Sequence, residues 1–194
     1  MRPHPALSLF LFTLAGCGAV PDSRPTQRAG QSTGASPVTV ARPEARQCFA
    51  ELGETGSRFA PLPDKYYGAG CSTVNSVRLE GVGGDRHQFT VTNLGAVACP
   101  LANSFAAWAR YGVDRAAQQI LGSPLQRIET MGSYSCRNVA GTARRSAHSR
   151  GEAIDVAAFV LEDGRRVSVR SGWNASARER EFLRVIHRSA CKRF

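Results

Sequence analysis

Five cysteines scattered through the body of this chain constrain its fold more than any other feature. Cys48, Cys71, Cys99, Cys136 and Cys191 form no CxxC pair, and no Cys/His spacing among them suits a zinc finger. What they mean depends on where the chain goes, and its first residues bear on that. Arg2 precedes a short apolar run, Ala6 to Leu14, which ends at Ala15-Gly16-Cys17. A run this short is the core of an export signal and not a membrane span. In an exported chain, widely spaced cysteines are disulfide partners. Their number is odd, so a two-bridge scheme leaves one thiol over and many pairings open.

Ala15-Gly16-Cys17 resembles the bacterial lipobox, in which the cysteine is lipidated and becomes the first mature residue. The resemblance implies a signal peptide over residues 1–16 and an anchor at Cys17 that holds the protein to a membrane without spanning it. With Gly18 and Ala19 next and no Asp, it also implies the outer membrane of a Gram-negative envelope, facing the periplasm. Residues 17–46 are rich in Pro, Ser, Thr, Gly, Gln and Arg and hold no aromatic. They read as a flexible tether, followed by one folded domain over 47–194.

Charge is lopsided, with 25 Lys and Arg against 15 Asp and Glu, a net +10. This points to anionic surroundings. Nucleic acid is excluded by export and by the lack of basic residues interleaved with aromatics. Membrane contact is expected through the lipid anchor only.

The domain reads as α+β, a small antiparallel sheet flanked by helices. Residues 48–52 start a short helix. Ser76–Leu79 and Gln88–Thr92 alternate and are separated by Gly81, Gly83 and Gly84, which predicts a hairpin. From Pro100 to about Leu121, apolar residues recur at helical spacing, with Gly122 past the end. Leu125–Met131 is a strand and Gly132–Arg150 a long polar loop. Glu152–Leu161 and Arg165–Val169 flank a Glu162-Asp163-Gly164 turn. Ser176-x-x-Glu179 is a capping box opening a last helix with Phe182, Leu183, Ile186 and Ala190 on its apolar face. Asn174-Ala175-Ser176 matches a glycosylation sequon, but in a bacterial lipoprotein it belongs to that cap.

Chemistry concentrates in Ser146-x-His148-x-x-Gly151-x-Ala153-x-Asp155. Alternation puts Ile154, Val156, Ala158 and Val160 on the core face of the strand and Asp155 on the other, between Ala153 and Ala157. Imidazole and carboxylate are both zinc ligands, and a site with three protein ligands keeps one position open. On spacing alone the plainer reading is favoured: Asp155 accepts loop amide hydrogen bonds and His148 is solvent-exposed.

The same string, preceded by Gly132-Ser133-Tyr134-Ser135-Cys136-Arg137, resembles the extensin-like C-terminal domain family. That family is similar to the zinc D-alanyl-D-alanine carboxypeptidases and, more distantly, to the hedgehog zinc fold. The likeness runs from about Cys48 to Phe194 and includes Cys99-Pro100-Leu101-Ala102, Trp108 and the Phe182-Leu183 helix. It implies that His148 and Asp155 are zinc ligands and that Arg137 faces the substrate and its developing negative charge, where a guanidinium donates two parallel hydrogen bonds. Ser146 and Arg150 are then candidate substrate contacts. Arg144, Arg145 and Arg150 surround His148 and are either an anion-attracting rim or solvated loop charges.

The family pattern continues beyond the Cys191 helix with a His-x-His segment that supplies the third ligand, and then a last cysteine. The expectation is therefore of a truncated form, with zinc weakly held and little hydrolysis. His187 is expected on a helix flank and His87 exposed, neither at ligand spacing. Three functions follow from the resemblance: a zinc peptidase-like domain acting on peptidoglycan stem peptides, a non-catalytic peptidoglycan-binding module, or a structural envelope lipoprotein.

Overall fold

A computed structural model describes residues 42–194. The expected signal peptide, Cys17 and most of the expected tether lie outside the described residues. The first helix, α1 (Pro43–Glu54), begins before the expected 48–52, because Pro43 sits in its first turn, where no amide donor is needed, and Glu44 complements the helix N-terminus. It buries Ala45 and Leu52 and stops where Thr55 Oγ1 donates to the Leu52 carbonyl. After it come β1 (Arg58–Pro61), β2 (Lys65–Gly68), β3 (Cys71–Thr73), β4 (Ser76–Gly83), β5 (Gln88–Thr92) and β6 (Ala96–Ala98). The long helix α2 (Cys99–Trp108) continues into two π-helical stretches, Ala109–Asp114 and Ala117–Leu121, and ends at Gly122. The chain finishes with β7 (Leu125–Gly132), β8 (Asp155–Leu161), β9 (Arg166–Ser168) and α3 (Ala177–Ala190).

The fold is α+β. Its sheet is larger than expected: seven strands, in the order β1-β4-β5-β7-β8-β9, with β6 also pairing with β4. β5 and β7 run parallel and the remaining pairs antiparallel. The crossover from β5 to β7 carries β6 and α2, the length a parallel connection requires. β2 and β3 form a separate ribbon. The expected β4–β5 hairpin is present, and β4 runs on through its glycines. A side chain at Gly83 would stand 2.8 Å from the Thr55 carbonyl, so the missing side chain is what lets the end of α1 lie against the strand.

One core joins sheet and helices. Phe105, Trp108, Phe159 and Phe182 form a chain of aromatic contacts from α2 through β8 to α3, and Trp108 Nε1 donates to the Ile186 carbonyl at 3.2 Å. The α3 cap is as expected, with Ser176 Oγ accepting from the Glu179 amide. Phe182, Leu183 and Ile186 are buried.

The strand β8 departs from simple alternation. Glu129 pairs with Ala158 but Thr130 with Val156, which leaves Ala157 as an extra residue. A bulge of this kind reverses which side chains face inward. Ile154 and Val156 pack against the core before it, whereas Phe159 and Leu161 belong to the core after it. Ala158 and Val160, expected on the core face, are buried outside that cluster.

The β4–β5 turn is clamped to α2. Asp85 accepts hydrogen bonds from Arg110 and from both Arg115 Nε and Nη2, and these hold its carboxyl at about 2. Buried Asp114 accepts from the Leu125 amide and from Gln118 Nε2, each at 2.9 Å. His87, expected exposed, is instead partly buried, its Nε2 2.8 Å from the Leu125 carbonyl and 3.7 Å from Asp114 Oδ1.

A depressed carboxyl contributes stability that is fully present above its unfolded pKa of about 3.9 and is lost as pH falls toward its folded value. Acid titration of stability should therefore lose an increment between about pH 4 and pH 2. Asp85→Asn should lack that increment; unchanged acid limbs by circular dichroism would refute the clamp.

Candidate functional site

The segment from Gly132 to Arg150, expected to be a loop, is an arm folded back on itself. The Ser135 amide donates to the His148 carbonyl, the Ser146 amide to the Arg137 carbonyl and the Val139 amide to the Arg144 carbonyl, with Asn138 bridged to Arg145. Two fastenings attach the arm to the β2–β3 ribbon. One is the disulfide Cys71–Cys136; the other is Arg145, whose Nε donates to the Ala69 carbonyl and whose Nη1 donates to Asn138. The second disulfide, Cys48–Cys99, ties α1 to the start of α2. Cys191 is exposed and makes no disulfide among the described residues.

The arm ends in a single 3₁₀ turn, Ala147–Arg150, with Ser146 at its start and Gly151 in the left-handed region at its end. The Gly151 carbonyl accepts from the Ala98 amide at 3.0 Å and from Ser133 Oγ at 3.1 Å, which joins the turn to β6 and to the end of β7. His148 is thereby fixed, buried to 9% exposure. Its Nδ1 lies 2.7 Å from the Ser133 carbonyl. A carbonyl only accepts, so Nδ1 carries the proton and donates, and Nε2 is the free nitrogen. Nε2 faces Asp155 Oδ2 at 3.5 Å.

Asp155 opens β8 opposite Gly132, and its side chain is 48% exposed. The two residues singled out in the sequence therefore meet. Their meeting is chemically incomplete: a neutral imidazole nitrogen and a carboxylate oxygen both offer lone pairs, and a proton or a cation between them relieves the opposition. Backbone carbonyl orientation of a ligand histidine is also how metal sites fix the coordinating nitrogen. Two donors fill half of a tetrahedral zinc set, and among the described residues no third His, Cys, Asp or Glu joins them. His187 is exposed on α3, 3.9 Å from Cys191 Sγ.

Beside the pair opens a hollow of about 680 Å³ lined by Ser146, His148, Ala153 and three arginines, Arg144, Arg145 and Arg150. Asp155 is not among the residues that line it. The arginines are not equivalent. Arg145 is spent on the ribbon, and Arg150 donates twice to Glu152 Oε2. Arg144 and Arg137, both exposed, have side chains without an ion pair among the described residues. Ser146 is buried, and its Oγ lies 3.4 Å from the His148 amide.

Sequence reasoning missed the Ser133 carbonyl and the tyrosine next to it. Every residue has a carbonyl, so the first carried no signal. Tyr134 stacks on Tyr67 of β2, ring centres 5.1 Å apart, and a partner so distant in sequence is not legible from spacing. Burial pushes the Tyr134 phenol above its ordinary value, with Tyr67 adding to the shift.

Gly151→Ala tests the positioning of the turn. Its φ of +67° is costly for alanine, and the new methyl would stand 3.2 Å from the Ala96 carbonyl. Urea unfolding should show a loss of about 1–3 kcal/mol; an unaltered midpoint would mean that the turn does not need glycine.

Comparison with known proteins adds one match. A family model described as extensin-like protein C-terminus fits residues 46–194. No curated protein and no solved structure matches the chain. The match covers the two disulfides, the folded-back arm and both members of the His148–Asp155 pair, and on it the chain belongs to the extensin-like C-terminal domain family.

Proposed function

We propose that the protein is a cell-envelope lipoprotein whose domain is zinc peptidase-like and directed at peptidoglycan stem peptides, with weak or no hydrolytic activity in the chain on its own. The observation that carries this reading is the meeting of His148 Nε2 and Asp155 Oδ2 at 3.5 Å beside an open basic hollow. Those two side chains would hold a zinc ion. The chemistry a bound ion supplies at such a centre is Lewis acidity toward a carbonyl. With two donors the affinity is low, because each missing ligand removes binding energy and geometric control.

The other groups have work that needs no metal. Arg137 and Arg144, free of protein partners among the described residues, are suited to a peptide carboxylate, since a guanidinium stays charged and binds such a group in a fork. Arg150 is less suited than its position suggests, because Glu152 already neutralises it. Ser146 shapes the turn that holds His148. Anchoring through lipid on Cys17 in the outer membrane would hold the domain against the wall from the periplasmic side. No helix among the described residues is long and apolar enough to cross a membrane.

A second reading, a non-catalytic peptidoglycan-binding module, is favoured by the two-donor count. Both readings are separable by experiment. Competition with a chromophoric chelator should find weak zinc uptake that His148→Ala abolishes, and muropeptide incubated with zinc should be cut slowly or not at all. Retention on sacculi should fall at high salt and should drop several-fold in the Arg137→Ala, Arg144→Ala double variant. Rapid turnover would overturn the weak-activity claim. Zinc uptake indifferent to His148 would overturn the metal centre.

A further inference from the structure

Tyr67 and Tyr134 are not explained by the core or by the His148–Asp155 pair. Tyr67 is 52% exposed on β2, a strand whose four residues are all solvent-facing. Its ring lies 5.1 Å from that of Tyr134, tilted by 32°. Neighbouring Tyr66 is occupied as the acceptor of a hydrogen bond from Arg42. The hydroxyls of Tyr67 and Tyr134, by contrast, bond no protein group among the described residues. Exposed Tyr67 and half-buried Tyr134 beside it, both with free hydroxyls, present an apolar face and a polar rim.

Their placement is rigid and close to the site. Tyr134 stands between Ser133, whose carbonyl receives His148 Nδ1, and Ser135, whose amide donates to the His148 carbonyl. The Tyr67 ribbon is held to the same arm by Cys71–Cys136 and by Arg145. A ligand stacking on these rings therefore gives up little to loop ordering. On the ribbon side, Tyr67 also borders a hollow of about 180 Å³ with Lys65, Thr73 and Arg78. Lys65 and Arg78 form no ion pair among the described residues, so this hollow offers hydrogen-bond donors to hydroxyl and carbonyl oxygens and repels cations.

We propose that Tyr67 and Tyr134, with the Lys65–Arg78 hollow, form a saccharide subsite that takes the sugar rings of a glycan strand, next to the centre that takes the peptide. A pyranose ring matches the tyrosine pair: its C–H face is apolar and its edge carries hydroxyls. This inference rests on the wall-directed reading above for the identity of the glycan, but not on zinc or on hydrolysis.

The test uses chitotetraose, which contains no peptide, titrated calorimetrically into the whole exported domain with both disulfides intact. Saturable binding is expected. Tyr67→Ala and Tyr134→Ala should each weaken it about ten-fold, and Tyr67→Phe and Tyr134→Phe should weaken it less, because the ring face is kept and only the hydroxyl is lost. A tyrosine ultraviolet difference spectrum on adding chitotetraose to the unaltered protein reads the same contact without relying on a variant that folds. No saturable binding, binding indifferent to Tyr67→Ala, or tyrosine spectra perturbed by a free stem peptide and not by chitotetraose would each overturn the subsite. Loss of sacculus retention in the arginine variants with chitotetraose binding retained would bear on the peptide centre alone.

Discussion

The hydrogen bond from His148 Nδ1 to the Ser133 carbonyl decides what the imidazole is able to do. It fixes one tautomer, turns Nε2 toward Asp155 and requires that the end of β7 and the 3₁₀ turn stay in register. That register is in turn kept by the Gly151 carbonyl, which receives the Ala98 amide and Ser133 Oγ together. The arm, the turn, β6 and β7 are thus coupled through a few buried polar contacts, while the aromatic chain from Phe105 to Phe182 ties α2, β8 and α3 together in the core.

Much of this was legible in the sequence where a local rule acts alone. The capping serine of α3, the helical spacing from Pro100 to Leu121 and the glycine-rich hairpin each specify their element without help from distant residues. The meeting of His148 with Asp155 was not legible from spacing, which favoured an exposed His148; it was expected only from the family resemblance, and the burial of His148 comes from Ser133 and Gly151 contacts that spacing does not encode. What failed were features set by tertiary contact. The bulge at Ala157 has no residue signature, so alternation missed Phe159 and Leu161, although Ala158 and Val160 are buried as assigned. His87 follows a polar glycine turn and still packs beside buried Asp114. Disulfide pairing among five cysteines depends on which segments the sheet brings together, and no spacing encodes that.

Net positive charge also proves a poor guide to where an anion would bind. Arg110, Arg115, Arg145, Arg150 and Arg165 are each committed to an acidic side chain or a carbonyl within the fold. The charge that lines the hollow without a partner is smaller than the arginine count suggests, and it resides on Arg144. Composition reports the total, whereas recognition draws on the uncommitted remainder.

The widened turns that follow Trp108 bear on how this lineage can change. A π turn holds about one residue more than an α turn, so the stretch from Ala109 to Asp114 behaves as an insertion stored within a continuous helix. Excising that stored residue would restore ordinary winding and leave both flanks in phase, whereas excising one from the α-helical turns before Trp108 would rotate everything downstream by about 100° around the axis. Asp114 would then leave the Leu125 amide, and the cationic pair would swing off Asp85. A one-residue deletion is therefore absorbed in the widened turns and disruptive in the winding that precedes them.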